Sequence, residues 1–313
     1  MLKILAGAFA IPVIFNTRAK IETALFYSAT AITCVLGYDL IRLTVFLGPN
    51  LLVQAHVFKP FIFNHSNVAS MMAGASALVF FYFFWKWRRQ PWPALACLGG
   101  MLIGLAYLVI LASRGPQIAF ALTCLGAVFL IPSRGIKLLV FLAILLAGLA
   151  LFVNIKHVNP RFLEKRSMTN FSERFTVWAH TWDLACQRPW LGYGYGKRNF
   201  EAVYYGTQPP KSIFYYPHPH QFWLKLLFEF GWPGLVLHLT AWLILGISLW
   251  RCVFAQPTFT DRLLPGTVGL IFYFIHLYGL GDYPDNIVLA AQFWLIPVAL
   301  VLMAQPAPRT VIN

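Results

Sequence analysis

The feature that most constrains this 313-residue chain is the recurrence of apolar runs about 20 residues long. A helix rises 1.5 Å per residue, so a run of that length crosses the roughly 30 Å hydrocarbon core of a bilayer. Composition agrees: 59% of the residues are hydrophobic and 11% charged, where soluble domains carry about 25% charged residues. Hydropathy places spans near 22–46, 68–85, 92–112, 116–132, 136–154, 223–250, 263–280 and 286–304, with residues 1–15 as a candidate ninth. The chain therefore reads as an all-α integral membrane protein, a polytopic helical bundle of about 8–9 spans. It divides into N-terminal membrane helices (1–154), one long polar loop (155–220) and C-terminal membrane helices (221–313).

The net charge of +14 does not point to nucleic acid, because the basic residues fall in membrane loops and form no single soluble face. Their distribution instead orients the chain. One set of short connections carries Arg18, Lys20, Lys86, Arg88, Arg89, Arg134, Lys137, Arg251, Arg262 and Arg309, ten bases, against Lys3, Lys59 and Arg114 on the other side. The richer set belongs in the cytoplasm. The 155–220 loop, the SRGP turn at 113–116 and the GDYPD turn at 281–285 then face outward. Cys34, Cys97, Cys124, Cys186 and Cys252 show no CxxC spacing. They read as small buried hydrophobes, with neither a disulfide framework nor a metal site.

Each outward connection carries a polar group. Arg114 opens SRGPQIAF, Arg174 lies in ERFTVWAHTWDLACQRPWLGYGYG, His218 and His220 lie in YYPHPHQFWLKLLFEFGWPG, and Asp282 lies in GLGDYPD. Such groups at bilayer depth are functional candidates. Plainer readings stand beside each of them. Arg114 could be an interfacial anchor, Arg174 a partner of Glu173 or Asp183, and Asp282 a helix cap. Asp39 and Arg42, one turn apart, suit an intrahelical ion pair. Lys225 and Glu229 suit inward-facing helix positions. GYGYG (192–196) lacks the GxGxxG spacing of a nucleotide fingerprint and reads as a tight turn. His-x-His can bind zinc, but no third ligand lies at useful spacing.

Chemistry suits His220 better. With Pro219 at a helix start, His220 is expected in the first turn of a span. The partial positive charge there favours neutral imidazole, the form a general base needs. The same field, with Arg114 and Arg174, would draw a phosphate. A base beside an anion clamp at the outer face suggests transfer from a lipid-linked pyrophosphate.

These residues resemble a family. HQFWLKLLFEFGWPG (220–234) closely resembles the H-[NS]-x-x-L-x-x-L-x-E-x-G-x-x-G hallmark of the O-antigen ligase superfamily, with Gln221 where Asn or Ser is commoner. ERFTVWAHTWDLACQRPWLGYGYG is similar to its Arg-x-x-x-Trp and P-x-x-G-x-G segments, and SRGPQIAF to its Arg-plus-small-residue opening. FIFNHSNVASMMAGASAL resembles its polar Asn followed by small residues, placing Asn67. The resemblance spans about residues 60–300. It implies a GT-C-like glycosyltransferase of the bacterial inner membrane, with its active site facing the periplasm and no required metal or cofactor. The implied donor is an undecaprenyl-pyrophosphate-linked glycan and the implied acceptor lipid A–core. On this resemblance Arg114, Arg174 and His220 are catalytic, and His218, Asp282 and Asn67 support the substrate. Tyr204, Tyr205, Tyr215 and Tyr216 are candidates for sugar stacking, with aromatic-belt anchoring as the alternative. Polymerases and O-oligosaccharyltransferases share the signature, and an anion transporter is the non-enzymatic alternative.

Overall fold

A computed structural model describes residues 16–48, 60, 66–111, 113–131, 133–139, 141–142, 165–209 and 215–281, with side chains of the 165–187 helix from Ser172 onward. The expected spans 136–154 and 286–304, residues 1–15 and Asp282 lie wholly or mostly outside these residues. Eight helices account for most of the rest: α1 (Arg18–Leu47), α2 (Ser66–Lys86), α3 (Pro91–Ile110), α4 (Arg114–Ala127), α5 (Lys165–Gln187), α6 (Lys197–Gly206), α7 (Phe222–Ala255) and α8 (Phe259–Gly279). The described residues contain no strand. By length and composition α1, α2, α3 and α7 can cross a membrane, so the chain is a helical membrane protein. In α8, which covers the expected 263–280 span, Arg262, Pro265 and His276 interrupt the apolar sequence.

Helices α2 and α8 form the centre. From Val68 to Phe80 every residue of α2 is buried. Its run of Ala69, Ser70, Ala73, Gly74, Ala75, Ser76 and Ala77 explains how, because small side chains let helix backbones approach in lipid. A Cβ added at Gly104 of α3 would stand 2.8 Å from the Ala73 carbonyl, and one at Gly74 would stand 2.7 Å from the Phe274 ring of α8. The main apolar core joins these helices to α1, α4 and the far part of α7 through residues such as Leu25, Met72, Ala119, Leu249 and Phe272. Large side chains remain exposed on the flanks of the bundle, including Ile41, Val45, Leu102, Leu237 and Ile244. That suits a surface facing lipid acyl chains, where apolar exposure carries no penalty.

The helix α7 departs from the expected single span. At Gly231 the backbone takes φ 67° and ψ −168°, outside helical space. Phe222 and His238 are 16 positions apart, about 24 Å in a continuous helix, yet their rings lie 5.0 Å apart. Trp223 and Trp242 also meet, at 6.1 Å. The chain thus folds back on itself. A short limb, 222–230, returns alongside the start of the long limb, 232–255. Leu224 and Leu227 of the short limb pack with Ala185 of α5, and Phe228 packs with Val177, Leu184, Phe200 and Tyr204. This limb is apolar because it is sandwiched between the loop helices and the bundle.

Candidate active site

His220 does not fall in the first helical turn. Gln221 is the N-cap of α7, with extended backbone, and its side-chain oxygen accepts the Leu224 N–H. A short polar side chain at this position, the commoner occupant in the family hallmark, would meet the same need. His220 stands one residue earlier with φ +52°, a left-handed conformation uncommon for a residue with a Cβ and enriched where function fixes the backbone. Three contacts hold it there. The Trp178 indole donates to the Pro219 carbonyl at 2.8 Å, the His220 N–H donates to His218 Nδ1 at 3.3 Å, and Tyr216 meets the His220 ring edge-on at 5.5 Å. His218 itself is buried, its ring 4.1 Å from that of His220. Since His218 Nδ1 accepts, a neutral His218 carries its proton on Nε2.

The support for this short limb comes from the segment read as a tight turn. Tyr193 and Gly194 donate their N–H groups to the Phe228 and Glu229 carbonyls at 2.8 and 3.0 Å, and Trp232 donates to the Pro189 carbonyl at 2.7 Å. These are carbonyls and N–H groups that the break at Gly231 removes from the helical ladder, so the loop satisfies the kink. Contact is so close that a Cβ on Gly231 would lie 2.4 Å from the Pro189 oxygen, and one on Gly192 would lie 2.6 Å from Phe228 O. Glu229, 2% exposed, accepts the Gly196 N–H at 3.1 Å and pairs with Lys225 at 3.5 Å. Lys225 also faces the Tyr195 ring at 5.7 Å. Lys225 and Glu229 face inward, as expected, but toward the loop and each other.

The C-terminal end of α8 gathers the remaining pieces. Arg174 Nη1 donates to the Gly281 carbonyl at 2.7 Å, where the negative end of the helix dipole favours a cation. Phe222 packs within 3.3 Å of a Cβ position on Gly279. Tyr278 packs 3.4 Å from a Cβ position on Gly115, the neighbour of Arg114. Three elements carrying Arg174, His220 and Arg114 therefore meet one helix end, and the residue that follows Gly281 is Asp282. Arg114 is half-buried as the first residue of α4. Ser113, its N-cap, turns its hydroxyl to Asn67 Oδ1 at 2.8 Å instead of capping α4. The structure thus brings Asn67 beside Arg114 in the chain.

The tyrosines divide. Tyr216 is buried, with its hydroxyl on Glu173 at 3.3 Å and its N–H on the Tyr205 hydroxyl at 2.8 Å. Tyr215 is exposed and stacks on Tyr205 with ring centroids 5.2 Å apart. A hydrogen bond to Glu201 pushes the Tyr215 phenol up to about 12. Burial pushes Tyr204 up to about 12 as well, so both are neutral hydroxyls at physiological pH. Asp39 and Arg42 form the expected ion pair at 3.1 Å, and Tyr107 adds a hydrogen bond to Asp39 at 3.2 Å. Among the described residues no group of three or more His, Cys, Asp or Glu could hold a metal ion.

Sequence reasoning missed Ser113, Gly196 and Gly281, and it marked Trp178 in the Arg-x-x-x-Trp segment without giving it a role. The Arg174-x-x-x-Trp178 spacing puts both on one face of a helix. The other three act through hydroxyl or backbone groups, which no residue type announces.

No curated protein matches the chain. A family model described as O-antigen ligase matches residues 99–239. That stretch runs from α3 to the early long limb of α7, and it contains Arg114, Arg174, His218, His220 and the loop-to-kink junction. The match shows that the chain carries an O-antigen ligase domain over these residues.

Proposed function

We propose that the protein is an O-antigen ligase of the bacterial inner membrane, with its active site on the periplasmic side. It moves a glycan from undecaprenyl pyrophosphate to a sugar of lipid A–core. The observation that carries this reading is the convergence of the Arg114, Arg174 and His220 elements on the end of α8. Imidazole plus two guanidinium groups suits a displacement at a glycosyl pyrophosphate, as base and as anion clamp.

In the proposed step the acceptor hydroxyl gives its proton to the His220 imidazole as its oxygen attacks the anomeric carbon. The bond from that carbon to the pyrophosphate oxygen breaks, with inversion. The negative charge that develops on the leaving group is met by Arg114 and Arg174, each able to present a planar, bidentate donor pair. A fixed donor of this kind typically contributes about 3 kcal/mol to the transition state, and general-base help about 10²–10⁴-fold. His218 sets the backbone and ring of His220. Asn67, through Ser113, sets the start of α4, and Asp282, which follows Gly281 in the sequence, is assigned a supporting role toward the substrate. Tyr215 with Tyr205 offers a stacking face for a sugar ring, while Tyr216 steadies Glu173 beneath it. The 155–220 loop acts as a periplasmic cap between the two sets of membrane helices, in a GT-C-like arrangement of about 8–9 spans.

The test is complementation of a ligase-null strain. We expect His220→Ala and Arg174→Ala to insert normally yet leave lipid A–core without O-antigen. Smooth lipopolysaccharide at the parental level from either variant would reject the proposal. Growth of lipid-linked chains in vitro without lipid A–core would instead identify a polymerase.

A further inference from the structure

At the opposite end of the bundle a cavity of about 440 Å³ opens between α1, α2 and α8, lined by Arg18, Glu22, Tyr82, Lys86, Thr260 and Leu263 among others. It is remote from the site above: Leu263 and Gly279 are 16 residues apart on α8, about 24 Å. Glu22 is its hub. Its carboxylate accepts from Arg18 Nε at 3.2 Å, from the Tyr82 hydroxyl and from Lys86. Asp261 accepts from the Thr258 hydroxyl at 2.6 Å and faces Arg18 at 3.7 Å. The acids are thus engaged several times over. The cations retain donor capacity: a guanidinium has five N–H groups and an ammonium three, and the Arg18 and Lys86 side chains are 46% and 36% exposed.

If these groups served only to clamp three helices, the space between them would close by packing. It stays open instead, with an apolar floor from Leu263 and the Tyr82 ring. Lys20, Arg88, Arg89 and Arg262 lie within a few residues of this lining in the sequence, so this end of the bundle carries more cations than carboxylates. Aromatic side chains mark the same level: Trp87 packs on Phe26 and Phe83, Trp85 on Phe259, and Trp92 is exposed. Tryptophan collects at the depth of lipid headgroups, and basic recesses between membrane helices at that depth take headgroup phosphates.

We infer that this cavity binds a phosphate or phosphodiester group, as carried by an anionic phospholipid headgroup or by free phosphate. The anion sits on Arg18 and Lys86, with Glu22 and Asp261 holding those two side chains in place. The occupant ties α1, α2 and α8 together at the end where the candidate active site does not.

Tryptophan-fluorescence melting of the purified full chain tests this, with phosphatidylglycerol or phosphatidylcholine supplied as mixed micelles and with millimolar inorganic phosphate as a separate arm. Saturating ligand is expected to raise the melting temperature by about 4 °C. A rise with phosphatidylglycerol alone identifies a lipid site, and a rise with phosphate alone identifies a soluble anion. The double variant Arg18→Gln, Lys86→Gln should lose the increment. Glu22→Gln keeps both cations, so it should melt lower in every mixture yet retain most of the increment. The inference fails if neither phosphatidylglycerol nor phosphate shifts the wild type. It also fails if the double variant keeps the increment, or if Glu22→Gln abolishes it as completely as the cation variant does.

Discussion

The bundle and the loop region above it are held by different forces. In the bundle, small residues of α2 let α3 and α8 close in, and cohesion is side-chain packing spread over many contacts. In the loop region a few backbone hydrogen bonds, from Tyr193 and Gly194 to the short limb of α7 and from Trp232 of the long limb to the Pro189 carbonyl, fix the short limb and with it His220. Distributed packing tolerates local loss. A handful of directed bonds around one hinge does not, but it sets a side chain's position more sharply.

This contrast can be broken first at Gly231. A Cβ there meets Pro189 O at 2.4 Å at a positive φ, so Gly231→Val should undock the short limb. The proposed ligation should fall at least about 100-fold, the loss expected when a reacting group is misplaced by an ångström. Melting of the bundle should move little, and equal damage to both would erase the distinction. A smaller loss is expected for Glu229→Ala, which removes the carboxylate that the half-buried Gly196 N–H and Lys225 share. A loss of about 1 kcal/mol corresponds to roughly fivefold in activity, and Glu229→Gln, which can still accept from Gly196, should lose less. The reverse pattern is expected for Gly104→Leu, where crowding against Ala73 costs about 1–3 kcal/mol. Its melting temperature should drop while turnover per folded molecule stays unchanged.

The smallest effect is alkaline. Tyr204 lies in the loop region and is pushed up to about 12 by burial, against roughly 10 for a free phenol. Its neutral form is favoured in the folded state, so its contribution is complete below pH ~10 and is lost as pH rises toward 12. Amide exchange in α6 should accelerate over that window, and no change in rate would show that Tyr204 does not couple to the fold there.

Hydropathy alone made the membrane-helix class and α1, α2 and α3 legible, because crossing a bilayer demands long apolar runs. It did not reveal the fold-back of α7. A limb buried between protein layers is as apolar as one buried in lipid, so 222–230 reads as the start of a span. Arg114, Arg174 and His220 stood out as ionisable groups near bilayer depth. The means of holding them lay hidden, because Gly281, Pro219 and Phe228 act through carbonyls that every residue possesses. Positive φ at Gly231 and Gly192 explains one glycine of the hallmark and one of the P-x-x-G-x-G segment, but only a three-dimensional neighbour shows why no Cβ fits.

Left straight, the 34 residues of α7 would extend about 51 Å, far beyond a hydrocarbon core of roughly 30 Å. Bending at Gly231 leaves 24 residues, about 36 Å, a length that a modest tilt accommodates. The hinge is thus also a length regulator. It decides how much of one apolar run the bilayer receives, and it brings the remainder back beside the long limb. The first residues of that remainder follow directly on His220, so the bend that matches the helix to the membrane also sets the depth of the imidazole.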